Sequence, residues 1–112
     1  MTDKPLVQLL RRLVHGESSA WEQLVREYSG LLCSMARRTL SGYGYEAAPQ
    51  DAEDVVAEVW KNLLERDCRL IRQSLRRQNF LQMLHVLARN RSVDLIRKRR
   101  GDTMPLRENL VA

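Results

Sequence analysis

Apolar residues recur at helical spacing along almost the whole chain, and this periodicity constrains the fold more than any other feature. Trp21, Leu24, Val25, Tyr28, Leu31, Leu32 and Met35 follow one another at intervals of three, one, three, three, one and three. That series lays one apolar stripe along a helix with a repeat of about 3.6 residues. No segment alternates apolar and polar residues in the way a half-buried strand would. The expected fold is therefore all-α.

The helix boundaries follow from local signals. Leu6, Leu9, Leu10 and Leu13 mark a short first helix that stops near Gly16. Ser19, with Glu22 three positions on, has the pattern of a capping box opening a second helix that runs to about Leu40. Residues 41–50, SGYGYEAAPQ, combine two glycines with a proline and read as a loop. Asp51 is a suitable N-cap for the third helix, and Glu53 and Asp54 complement the positive end of its dipole. Ala52, Val55, Val56, Val59, Trp60, Leu63 and Leu64 form its apolar stripe. Residues 67–78 are less determinate, with Leu70, Ile71 and Leu75 available to anchor a short helical turn among arginines. Asn79 can cap the last helix, in which Phe80, Leu81, Leu84, Leu87 and Ala88 lead on to about Arg99, and Gly101 is a stop signal. A chain of 112 residues holds one such domain. The expectation is a compact bundle of four to five helices over residues 1–100, with residues 101–112 as a linker or tail.

No apolar run approaches the roughly 18–20 residues of a membrane span, and the N-terminal segment lacks a leader pattern. Cys33 and Cys68 fall within helical patterns without metal-ligand spacing, which reads as two small thiols in a cytoplasmic protein. His15 and His85 are isolated from any cysteine or carboxylate at ligand spacing. There is no phosphate-binding glycine loop and no nucleophile motif, so neither an enzyme nor a bound cofactor or metal is expected.

The charge is divided along the chain. Residues 1–68 hold 8 Lys/Arg against 11 Asp/Glu, a net of −3, whereas residues 69–112 hold 11 against 3, a net of +8. The basic half is almost entirely arginine, whose planar fork matches phosphates and guanine edges. The division suggests a polyanion partner for the second half and a different partner for the first. A merely solvated basic face is the plainer alternative.

Two segments carry this division. From Asp51 to Glu65, an acidic ridge of Glu53, Asp54 and Glu58 runs beside the apolar stripe, with Trp60 at its edge. That is either a capped core helix with a solvated charged face or a docking face for a basic, helical partner. In the last helix, Arg89, Asn90, Arg91, Asp94, Arg97 and Lys98 recur at helical spacing, and Arg97 to Arg100 are four consecutive cations. Cations at a helix C-terminus complement the dipole by only about 0.3–1 kcal/mol each, and adjacent ones repel, so a polyanion partner is the better account. The aromatic residues Trp21, Tyr28, Tyr43, Tyr45, Trp60 and Phe80 all precede this helix's cations, leaving no stacking row among them in sequence.

Residues from about Leu6 to Arg100 resemble the second conserved region of extracytoplasmic-function sigma factors. The likeness is carried by HGESSAWEQLVREYSGLLCSMARRTL, then DAEDVVAEVWKNLLER, then FLQMLHVLARNRSVDLIRKRR. It implies a transcription-initiation domain without catalytic residues. Asp51, Glu53, Asp54, Val55, Glu58 and Trp60 would contact the clamp helices of the largest subunit of core RNA polymerase. Arg76, Arg77, Asn79, Arg89, Asn90, Asp94, Arg97 and Lys98 would bind promoter DNA, holding the non-template strand of the −10 element and helping to open it. The unpairing, costing a few kcal/mol, would be offset by capture of a flipped base. An anti-sigma factor is a common partner in the group, although no residue here indicates one. Met83 stands where the family commonly has tryptophan. Family members carry a second, helix-turn-helix domain for the −35 element, which makes this chain either one domain of a longer protein, the expected case, or a short relative. Two other readings stand beside this one: a stand-alone nucleic-acid-binding module, and a regulator that competes for polymerase without reading a promoter.

Overall fold

The structure, a computed structural model, describes residues 4–101. Four helices follow in order: α1 (Lys4–Val14), α2 (Ser18–Gly42), α3 (Pro49–Arg77) and α4 (Phe80–Arg99). Among the described residues there is no strand. Of the expected tail, residues 101–112, all but Gly101 lie outside the described residues. No helix among the described residues is long and apolar enough to cross a membrane.

The four leucines of α1 are all buried, and the helix lies against α2 and α3. Helix α4 packs against both α2 and α3, with Leu84, Ala88, Ser92 and Ile96 fully enclosed at four-residue intervals. Ala88 and Ser92 are small enough for close helix approach, and Ala20 and Ala36 serve α2 in the same way. Ser92 donates its hydroxyl to the Ala88 carbonyl at 2.7 Å, and Ser74 donates to Ile71 at 2.8 Å, so neither buried hydroxyl is left unpaired. Ring contacts tie the seams. Trp21 meets Trp60 edge-to-face at 5.5 Å, and Tyr28 meets Phe80 in the same manner at 6.3 Å.

The helix ends differ from those expected in ways that sequence spacing does not convey. Helix α2 starts after Glu17, two residues earlier than the Ser19–Glu22 box requires, and no side chain caps it. Its C-terminus closes in a Schellman motif: Tyr45 N–H donates to Leu40 C=O at 3.0 Å and Gly44 N–H to Ser41 C=O at 2.9 Å. Gly44 takes the left-handed φ of 70° that this motif demands. Helix α3 starts at Pro49 with Ala48 as its N-cap, because proline suits the first helical position, where no amide partner is needed. Asp51 is therefore the third helical residue and caps from within, its Oδ2 accepting from Ala48 N–H at 3.0 Å. Asn79 occupies the N-cap of α4 without a side-chain bond.

The indeterminate stretch after Glu65 resolves into a break followed by more helix. Glu65 is extended, and Arg66, Asp67 and Cys68 have φ of 53°, 56° and 58°. Left-handed backbone costs roughly 1–2 kcal/mol per non-glycine residue, so something must hold it. Arg72 does so: its Nε donates to Asp67 C=O at 2.8 Å, and its Nη2 lies 3.2 Å from Asp67 Oδ2 and 3.5 Å from the Val14 carbonyl. Within this clasp, burial, reinforced by the Asp67 carboxylate and partly offset by Arg72, pushes the Cys68 thiol above its ordinary pKa.

Leu84 and Leu64 make a direct comparison, since Leu84 is fully buried and Leu64 is 49% exposed. Leu84→Ala is expected to lower unfolding free energy by about 2–5 kcal/mol, while Leu64→Ala changes it by less than about 0.5 kcal/mol. Urea titration followed by circular dichroism checks both; equal shifts in midpoint would contradict the packing described.

Candidate functional site

Two chemically opposite surfaces lie on this bundle. The first is the outward face of α3, where Glu53, Asp54, Ala57, Glu58, Lys61 and Leu64 are exposed. Of the six residues expected to contact polymerase, Glu53, Asp54 and Glu58 lie on this face, and Asp51, Val55 and Trp60 are turned inward. Val55 belongs to the core. Trp60 donates its indole N–H to Ser29 Oγ at 3.0 Å across to α2, which satisfies the ring's polar atom while its body stays buried. Leu64, read in the sequence as part of the apolar stripe, is an exposed apolar side chain on the acidic face.

Asp51 is almost wholly enclosed, yet its second carboxylate oxygen lies 3.2 Å from Arg99 Nη2. The same nitrogen stands 3.9 Å from Asp54 Oδ2. One carboxylate thus ties the start of α3 to the end of α4. Next to it, the Arg100 guanidinium stacks 5.8 Å over the ring of Tyr45. Two of the four consecutive cations therefore have partners inside the chain, and the case for a polyanion is weaker at Arg99 and Arg100 than the sequence implied.

The second surface is a groove of ≈ 820 Å³ between α2, the second half of α3 and the first half of α4. Its walls carry Arg38 from α2, Arg77 from α3 and Arg89 from α4, and among the described residues no Asp or Glu lines it. None of these three arginines forms an ion pair among the described residues. Met35, Leu70 and Met83 supply apolar floor, and Asn79, Gln82 and His85 add polar groups. Chemically this is a trough for an extended anion with flat apolar parts.

The eight expected DNA contacts divide between two places. Arg77, Asn79 and Arg89 line the groove. Asp94, Arg97 and Lys98 surround a smaller concavity of ≈ 370 Å³ at the end of α4, beside Gly101. Arg76 is exposed and Asn90 half-buried, and neither lines either hollow. The polar positions of α4 do not share a single face. Arg91 turns toward α3, its Nη1 reaching Asn62 Oδ1 at 3.4 Å while its Nη2 pairs with Asp94 at 3.0 Å. Asp94 is thus held by a neighbour on its own helix. Arg97 Nε is buried without a hydrogen-bond partner among the described residues.

Sequence reasoning missed Arg38, Thr39 and Tyr43, which α2 contributes to the groove. Arg37 and Arg38, an adjacent pair of cations in the acidic half, were the available signal. Among the described residues, no cluster of histidine, cysteine or carboxylate side chains is arranged to hold a metal ion. Comparison with protein-family models, curated proteins and solved structures gives no match.

The Asp51–Arg99 tie is open to a double-mutant cycle. Asp51→Asn and Arg99→Ala, measured singly and together by urea unfolding, are expected to couple by roughly 0.5–3 kcal/mol, toward the lower end because Arg99 is half exposed. Additive effects would show that the pair contributes nothing to joining the helices.

Proposed function

We propose that this chain is a transcription-initiation domain of the extracytoplasmic-function sigma type, binding core RNA polymerase and promoter DNA through separate faces. The observation that carries the reading is the opposition of the two surfaces. An exposed acidic and apolar face on α3 stands apart from an arginine-lined groove that no carboxylate lines among the described residues. On the polymerase side, Glu53, Asp54 and Glu58 steer a basic helical partner such as the clamp helices, and Leu64 supplies the apolar contact. Asp51, Val55 and Trp60 act from beneath, fixing the helix that presents those residues.

On the DNA side, Arg77, Asn79 and Arg89 address the −10 element in the groove, and Arg97 and Lys98 extend the cationic surface along α4. Arg76 adds a cation next to Arg77. Contacts to phosphate supply affinity and register, and Asn and Arg side chains can address base edges. In this reading the protein performs no covalent chemistry. It lowers the free energy of an open strand by binding it, offsetting the few kcal/mol that unpairing costs.

The test is titration of the labelled chain with bacterial core RNA polymerase, read by fluorescence anisotropy at moderate salt. Saturable binding is expected. Glu53→Lys and Leu64→Ala, neither of which disturbs an internal contact described above, should each weaken it by about fivefold or more. Absence of binding by the folded chain would leave a stand-alone nucleic-acid-binding module.

A further inference from the structure

The groove has an aromatic wall that the order of the sequence conceals. All six aromatic residues precede the cations of α4, so the linear chain offers no stacking platform beside them. Folding changes this. Tyr43 sits at the C-cap of α2, and its half-buried ring lines the same groove as Arg38, Arg77 and Arg89. The Schellman turn at Gly44 separates the two tyrosines of this loop. Tyr45 is engaged by Arg100, whereas Tyr43 faces the groove.

We infer that Tyr43 and Arg38 form a nucleotide subsite in which an unpaired base stacks on the Tyr43 ring and the adjoining phosphate is held by Arg38. The occupant is a segment of single-stranded nucleic acid. An aromatic face beside cations is the arrangement that binds unpaired bases irrespective of sequence. A duplex keeps its bases stacked on one another and has no free π-face to offer. The groove volume of ≈ 820 Å³ falls within the range of about 300–1,000 Å³ typical of small-ligand sites. Arginines from three helices line it, and among the described residues no carboxylate there neutralises them. Thr39, one residue from Arg38, has already committed its hydroxyl to the Met35 carbonyl at 3.1 Å, so Arg38 is the phosphate contact that α2 offers here. The inference rests on the nucleic-acid part of the proposed function and adds to it a second wall, built from α2.

The test uses the full chain and a labelled, pyrimidine-rich single strand of roughly ten nucleotides, with binding read by anisotropy over a range of salt. Tyr43→Leu keeps the apolar bulk but removes the π-face, and is expected to weaken binding roughly 5- to 150-fold, while Tyr43→Phe binds as the parent does. Arg38→Ala should lower the salt slope by about 0.7. On an otherwise identical abasic strand, Tyr43→Leu should have no effect, which separates base stacking from plain phosphate binding. Circular dichroism confirms that each variant is folded.

Parent-like binding by Tyr43→Leu, alongside weakened binding by Arg89→Ala, would overturn the subsite and leave the wider nucleic-acid reading standing. Equal losses for Tyr43→Leu on the normal and abasic strands would also overturn it, as would a preference for duplex over single strand. If the parent chain binds no single strand at all, the nucleic-acid reading falls and the subsite with it.

Discussion

The carboxylate of Asp51 is where the two working halves of this molecule are joined. One oxygen accepts from Ala48 N–H and sets the first turn of α3, and the other meets Arg99 at the far end of α4. A carboxylate enclosed to this degree is expensive to desolvate and is tolerable only when its oxygens are satisfied. Both bonds are therefore structurally required as a set. Through them, the helix that presents the acidic face and the helix that ends in a run of cations hold a fixed relation. The apolar seam of Leu84, Ala88, Ser92 and Ile96 supplies adhesion along α4, and the ion pair locks its end.

This arrangement accounts for cations that phosphate binding alone would overcount. A run of four basic residues at a helix end looks in sequence like a single patch. In the fold, Arg99 is drawn back to Asp51 and Asp54, Arg100 covers Tyr45, and Arg97 and Lys98 stay with the outer concavity. The larger concentration of unpaired positive charge lies elsewhere, in the groove where α2, α3 and α4 meet. The strained break at Arg66–Cys68 contributes to this geometry. It redirects the second half of α3 so that Gln73 and Arg77 come to line that groove, and Arg72 holds the break in place.

The bundle itself was legible in the sequence, because helical periodicity reports which side chains face inward whatever they face. Leu6, Leu9, Leu10 and Leu13 were read as the apolar positions of a short first helix, and all four are buried there. Periodicity was less able to mark where a stripe stops being covered: Leu64 and Leu81 continue their stripes but are exposed. Caps were misplaced for a related reason. Asp51 suits an N-cap by residue type, but Pro49 starts the helix earlier, and the same carboxylate then caps from within. The candidate site was legible in part, since Arg77, Asn79 and Arg89 were named from the sequence and line the groove. The acidic ridge of α3 could be read directly, while Arg38 and Tyr43 reach the groove through tertiary packing that spacing does not encode.

The central claim is that the acidic face and the basic groove are separate surfaces that can be occupied together. The most direct test monitors a labelled single strand bound to the chain while core RNA polymerase is added. The account predicts a further rise in anisotropy as a ternary complex forms. A fall to the value of the free strand, with polymerase and nucleic acid excluding each other, would contradict it.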